Sequence, residues 1–322
     1  MPMKRRTLAA ALAAAPLAAR AQSPWRPDKP IRLVVGFAAG GSTDISGRLV
    51  AEGIAPILGQ PVVVENRVGA GGNVGSELVA RSAPDGSVFV VASVGTHATN
   101  QFLYRNMGFH VVDDFTPVSL VLGGGAVLCV DPRLPVRNLR EFIDYAKARP
   151  GQLNMGTSGP GGTQHFAGAL FEDLAGVRFT HIPYRGGAPA MADLIAGQVQ
   201  VVFAPLAEAI GPIRGEQVRP LGGSRLQPMP ALPDLAPIAS AVPGYEFNSW
   251  IGIFGPARLP RPIVQAMSGA IAQAVREPNL RRRMEQQGYL PIGGSAEDMA
   301  KAQREDVALM ERLVRQTGAT AE

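Results

Sequence analysis

Residues 34–50 read VVGFAAGGSTDISGRLV. An apolar, valine-rich run ends at Gly36. Two glycines follow at Gly40 and Gly41, and Ser42, Thr43 and Asp44 are the residue types that cap a helix. Beyond them Ile45, Leu49, Ile54 and Leu58 recur at four- and five-residue steps, one apolar face of a helix that Gly59 stops before Pro61 starts another strand. A strand passing into a helix through a glycine turn is the repeating unit of α/β sheets. The first amides of such a helix have no internal partner, and its dipole places partial positive charge there, so the junction suits an anion. The plainer reading is that Asp44 only caps its own helix.

The unit recurs along the chain. Strand-like residues 31–37, 62–65 and 88–92 alternate with helical patterns at 45–58 and 73–81. In the second half, strand-like 153–156 is followed by the loop GTSGPGGT at 156–163 and by a helix in which Phe166, Leu170 and Leu174 are spaced by four. Further strands are expected at 177–182 and 199–203. Two long apolar stretches stand between the halves: 115–130, broken by Gly123-Gly124-Gly125, and 247–254, which follows the proline-rich segment 227–243. They read as strands that leave one domain and re-enter it. The expected fold is α/β and two-lobed, each lobe a mostly parallel sheet flanked by helices, with the two crossing strands as a hinge. Lobe 1 is expected to hold 22–122 plus 247–322, and lobe 2 to hold 123–246. The chain should end in helices, one over 263–275 and one opened by Ser295, with Asp298 three residues on as a variant capping box. Met299, Met310, Leu313 and Val314 would form the apolar face of that last helix.

Residues 1–21 begin with Lys4, Arg5 and Arg6, continue as an apolar run over 8–19 and end Ala19-Arg20-Ala21. A basic end, a short apolar core and a small-x-small site make a secretory signal, cleaved near Ala21, and the run falls short of the about 20 apolar residues of a membrane anchor. Paired Arg5 and Arg6 leave both general and twin-arginine export open. The segment carries four of the 31 Lys and Arg and none of the 26 Asp and Glu, so its removal lowers the formal charge from +5 to +1. That balance excludes the basic stripe of a nucleic-acid binder, and Arg281-Arg282-Arg283 reads as a solvated helix face. The single Cys129 excludes an intrachain disulfide and reads as a buried thiol.

Nucleotide motifs fail on spacing. Gly69 and Gly71 are followed by Val74 where a dinucleotide turn needs Gly or Ala, and no Gly-Lys pair exists for a phosphate loop. Around Ser158 the sequence GTSGP lacks the last glycine of a nucleophile elbow. His97, His110, His165 and His181 are too scattered for a metal motif, and no cofactor is expected. Candidate ligand groups at strand ends are Thr96 and His97, Gln164 and His165, and Tyr184-Arg185-Gly186-Gly187, since sites collect in such loops. Three amide bonds to a carboxylate at roughly 1.5–3 kcal/mol each barely reach the about 8 kcal/mol of micromolar binding, so closure of a second lobe must contribute.

PIRLVV at 30–35, GGSTD at 40–44, GQPVVVENR at 59–67, GAGGN at 69–73, APDG at 83–86, IPY at 182–184, SW at 249–250 and FGPA at 254–257 together resemble the Bug family, the extracytoplasmic solute receptors of tripartite tricarboxylate transporters. The likeness runs in order along the whole mature chain. It implies a periplasmic binding protein that takes a small organic carboxylate in an interlobe cleft and delivers it to a permease of one large and one small membrane subunit. It also implies backbone amides and waters as the carboxylate grip. By that resemblance the ligand-binding candidates are Phe37, Ala38, Ala39, Gly40 and Asp44, with Thr96, His97, Ser158, Gly159, Thr163 and His165. Tyr184 and Ala204 join them from the strand ends. Two positions depart from the family pattern: Val94 replaces a polar residue, and Ala204-Pro205 replaces an often acidic or polar pair, which argues against an amino-acid solute. A receptor of this kind is expected to be a monomer without enzymatic activity. The alternatives are an exported hydrolase or isomerase using His97 or His165, and a subunit that presents solute to a membrane kinase.

Overall fold

The computed structural model describes residues 25–159, 162–318 and 320–321. The export signal read over 1–21 lies outside them. The opening stretch forms β1 (Ile31–Val35), the glycine turn and α1 (Ser42–Leu58), which ends on Gly59 in the left-handed region at φ 71°. The rest of the first half is β2 (Val62–Asn66), α2 (Asn73–Ala80), β3 (Val88–Ser93) and the short α3 (Asn100–Leu103). β4 (Phe115–Val130) leads to α4 (Leu139–Lys147), β5 (Asn154–Thr157), α5 (Thr163–Ala175), β6 (Thr180–Pro183), α6 (Gly187–Ala196), β7 (Val201–Pro205), α7 (Leu206–Arg214) and β8 (Arg219–Gly223). The chain then returns through β9 (Asn248–Pro256) and closes with α8 (Arg261–Arg276), α9 (Pro278–Gln286), β10 (Leu290–Pro291) and α10 (Ala296–Thr317).

The strands lie in the order β2-β1-β3-β9-β4-β7-β5-β6, with β8 and β10 also paired to β4. The expected parallel pairing holds for the outer strands, β2-β1-β3 on one side and β6-β5-β7 on the other. Around the crossing strands the sheet is antiparallel: β4 runs against β9, β7, β8 and β10, and β3 against β9. The reason is topological, because one strand carries the chain out of a lobe and the other carries it back. At about 3.3 Å per residue the 16 residues of β4 span roughly 50 Å, enough to serve both lobes. Its segment Phe115 to Gly125 pairs with β9, and Ala126 to Val130 pairs with β7 and β8. Gly123, Gly124 and Gly125 mark the handover.

Side chains alternate across the strands as period 2 requires. Ile31, Leu33, Val35, Phe89 and Val91 are buried in one cluster with residues of α1 and α8, while Val34, Val88 and Val90 share a second with Val79, Met299 and Met310. In the other lobe Val127, Cys129, Val202 and Ala204 share a cluster with residues of α6 and α7, and Leu128, Val130 and Phe203 share theirs with Phe142, Phe166 and Phe171. Cys129 is therefore a core thiol, and burial pushes its pKa up. The capping box at α10 is formed: Ser295 Oγ accepts from Asp298 N at 3.1 Å and Asp298 Oδ2 accepts from Ser295 N at 2.8 Å. Among the described residues no helix is long and apolar enough to cross a membrane.

Candidate functional site

The glycine turn between β1 and α1 is built around Asp44. Its carboxylate accepts from Gly40 N at 3.0 Å, from Arg48 Nε and Nη2 at 2.9 Å each, and from Asn66 Nδ2 at 2.9 Å, while Asn66 Nδ2 also reaches the Phe37 carbonyl at 3.0 Å. Burial opposes ionisation of Asp44, but the bonds from Arg48, Gly40 and Asn66 outweigh it and hold the carboxyl below its ordinary value. Asp44 is the third residue of α1 and does not cap it: the N-cap is Gly41, without a side-chain cap bond, and Asp44 reaches back to Gly40 N, so that it fixes the turn and lies off the cavity lining. Gly36 explains the second glycine motif. A Cβ on Gly36 would stand 2.6 Å from Gly72 Cα, and one on Gly75 would stand 3.0 Å from Gly36 Cα, so the Gly69–Gly72 turn backs onto the first turn instead of facing a ligand.

Between the lobes lies a cavity whose empty space, open mouth included, is about 660 Å³. One wall is the start of α1 (Gly41, Ser42, Thr43), and facing it is the start of α5 (Gly162, Thr163, Gln164) with Ser158. The starts of α6 and α7 add Gly187 and Glu208. The crossing strands form the back with Gly123 to Gly125 and Ser249 to Ile251, and Phe37, Trp250 and Tyr289 supply aromatic surface. Among the described residues no Lys, Arg or His lines the cavity. Its polarity comes from hydroxyls, glycine backbone and the amino ends of helices.

Among the described residues Glu208 is the one carboxylate in the lining. Its Oε1 accepts from Ser42 N across the cleft at 2.7 Å and its Oε2 accepts from Gln164 Nε2 at 2.8 Å. Burial raises its pKa above the ordinary carboxylate value, against the bonds from Ser42 and Gln164. Gln164 is 1 % exposed and its Oε1 has no partner. Tyr289 donates its hydroxyl to the Ser42 carbonyl at 2.6 Å, tying the start of α1 to the turn before β10.

Of the residues expected from sequence, Phe37, Ser158 and Thr163 line the cavity. Gly40 lines an adjoining open groove beside Ala188 and Glu208, Ala39 is exposed on the turn, and a Cβ on Gly186 would stand 3.5 Å from Ala38 N. Gly159 takes φ 102°, and its Cβ position faces the Tyr184 carbonyl. Thr96 and His97 sit in the core. The His97 ring packs 4.5 Å from Phe115 and 4.6 Å from Phe254, its Nδ1 lies 3.0 Å from Thr96 Oγ1, and burial lowers its pKa to about 3. His165 lies 5.2 Å from the His181 ring and is not among the residues that line the cavity, and burial with the His181 charge lowers its pKa to about 4. Tyr184 donates to Asp193 at 2.6 Å, and Ala204 is buried opposite Val127. Ser93, Glu208 and Tyr289 also line the cavity and stand in no motif that marks them in the sequence. The sequence has no acid at Ala204-Pro205; the structure brings one to the cleft four residues later, which removes the argument against a solute bearing an amino group. Among the described residues no cluster of His, Cys, Asp and Glu could hold a metal.

A two-lobed α/β body with a cleft at its hinge has the fold of the periplasmic binding proteins. Residues 47–319 match the profile of the tripartite tricarboxylate transporter family receptor, TctC, and the chain belongs to that family. It is similar to the protein BugT of Bordetella pertussis, 30% identical over 96% of this chain and 95% of the other. Two solved structures are also similar. Rpa4515 of Rhodopseudomonas palustris with adipate has a TM-score of 0.89 at 34% identity, covering 91% of this chain and 99% of that one. MatC of the same organism with bound malate has a TM-score of 0.85 at 30% identity, covering 89% and 99%.

Proposed function

We propose that this receptor captures a small organic carboxylate in the cleft between residues 22–122 plus 247–322 and residues 123–246, and passes it to a tripartite tricarboxylate-type permease of one large and one small membrane subunit. The observation that carries the reading is the meeting of the α1 and α5 amino ends across a cavity without basic side chains. First-turn amides there meet a carboxylate with fixed dipoles, and the cleft closes around the rest of the solute. The change of β4 partners at Gly125 and Ala126 supports the lobe division. Similar receptors hold adipate and malate, which supports the carboxylate class. Export to the periplasm by the segment 1–21 and action as a monomer complete the proposal. The protein is read as acting by binding, without turnover, which its membership of a family of transporter receptors supports.

The test is thermal unfolding of residues 22–322 against aliphatic, aromatic and amino carboxylates, with the fully amidated forms as neutral controls. An acid at 100 times its dissociation constant should stabilise the protein by about 2.7 kcal/mol, and its neutral amide should not. Absence of a shift with every acid, in protein shown by mass spectrometry to carry no ligand, would refute the reading.

A further inference from the structure

We propose that Glu208 sets the choice of solute: the end of the solute that meets Glu208 is a hydrogen-bond donor, an amide or an ammonium, and not a second carboxylate. This rests on the carboxylate-receptor reading above. Among the described residues Glu208 is the only formally charged side chain in the lining, and it lies where the first turns of α1, α5, α6 and α7 converge. Each of its oxygens already accepts a hydrogen bond, from Ser42 N and from Gln164 Nε2. A Cβ on Gly187 would overlap Oε2, so the glycine at the start of α6 leaves the space this carboxylate fills. The protein has thus placed its own anion at the convergent helix ends, where a solute carboxylate would otherwise sit.

What Gln164 lacks is a donor. Gln164 Oε1 is buried and unpartnered, an arrangement that costs stability until something donates to it. A solute N–H group between Gln164 Oε1 and Glu208 satisfies the orphan acceptor and the carboxylate's remaining lone pairs together. A solute carboxylate in the same place would set two like charges side by side in a lining with no cation, and would leave Oε1 unpaired. The solute's own carboxylate takes other first-turn amides, at Thr43 and Thr163, since the opening amides of a helix have no partner inside it. By this assignment the chain prefers acids ending in nitrogen, whereas the similar receptors named above are seen with the diacids adipate and malate.

The experiment is isothermal calorimetry on the exported, processed protein and on its E208Q and E208A variants, all first shown to be folded by circular dichroism. Two matched series serve as probes: adipate, its monoamide and 6-aminohexanoate, and succinate, its monoamide and 4-aminobutanoate. The wild type should bind the best donor-ended acid at least tenfold more tightly than the diacid of the same length, and each variant should reduce that ratio to threefold or less. The stronger of monoamide and amino acid identifies the donor. A diacid that binds the wild type as tightly as its donor-ended partners overturns the inference. So does a diacid that binds tightly by taking up a proton, seen as heat that varies with the buffer's ionisation enthalpy, and so does an unchanged ratio in both variants. If none of the probes, nor any acid of the thermal-unfolding panel, binds any of the three proteins, the carboxylate reading falls as well; binding in the wrong order removes the Glu208 assignment alone.

Discussion

Asp44 and His97 were both expected at the ligand, and both turn out to hold the fold. The Asp44 side chain is 3% exposed, and its loss takes an acceptor from Gly40 N, leaves Asn66 Nδ2 only the Phe37 carbonyl and leaves Arg48 only Asn66 Oδ1 at 3.3 Å. Asp44→Ala should therefore cost about 2 kcal/mol, allowing for the exposed end of Arg48, read as a lower urea midpoint. The folded pKa lies below the ordinary 3.8, so this contribution is present above that value and lost as pH falls through the folded one. Wild type and variant should converge only in that acid range. His97 has the opposite chemistry with a similar outcome. It is neutral in the folded core down to about pH 3 but takes up a proton near 6.5 when unfolded, so its contribution is complete above 6.5 and declines as pH falls. Between pH 7 and pH 5 that should cost about 2 kcal/mol, and His97→Leu should remove that part of the acid sensitivity in unfolding curves at the two pH values. A histidine after a strand looks alike in sequence whether it faces a cleft or a core. Only the Phe115 and Phe254 rings, brought in by strands far along the chain, decide the matter. Glu208 was equally hidden, because its bond to Ser42 spans 166 positions.

Elements were easier to read, since their signals are local. The 3.6-residue spacing of α1, the Ser295-Asp298 cap and the valine-rich strands each carry their own evidence, and the structure places them within a few residues of the expected bounds. The glycine motifs were legible as turns but not as to what each glycine approaches. Gly36 and Gly72 meet backbone to backbone, 2.6 Å from a Cβ position to Cα, and neither chain segment has a flexible side chain to move aside. Gly36→Ala should thus destabilise by about 2–3 kcal/mol through overpacking and displace the turn that carries Gly40. Gly269 is the control. It is exposed in α8 with open space around its Cβ position, so Gly269→Ala should stabilise the protein by about 0.5–1 kcal/mol. Parallel thermal melts of the two variants separate contact from helix propensity. Strand direction at the crossing was not legible, because apolar periodicity is the same whichever way a strand runs.

At the scale of the whole molecule, the lobes meet at few points besides the crossing strands, and each is a place where closure can be tested. Ser42 to Glu208 is a polar bridge across the mouth. Leu206 at the start of α7 and Gly288 in the turn before β10 form an apolar contact: a Cβ on Gly288 would overlap the Leu206 side chain, which is 2% exposed. Gly288 also takes φ 84°, so any side chain there adds backbone strain in its own lobe. Gly288→Val therefore acts as a wedge. The contact can be relieved by rotating one lobe about the β4 and β9 crossing, since packed interfaces shift as bodies more readily than they compress. We expect a larger radius of gyration by small-angle X-ray scattering. Affinity for whichever carboxylate the wild type binds should fall at least tenfold, about 1.4 kcal/mol, because the α1 and α5 amides no longer face each other. The strain should lower the melting temperature by only the few degrees of a roughly 1 kcal/mol change in a chain this size. Unchanged scattering with unchanged affinity would show that Leu206 repacks locally and that closure does not depend on this contact.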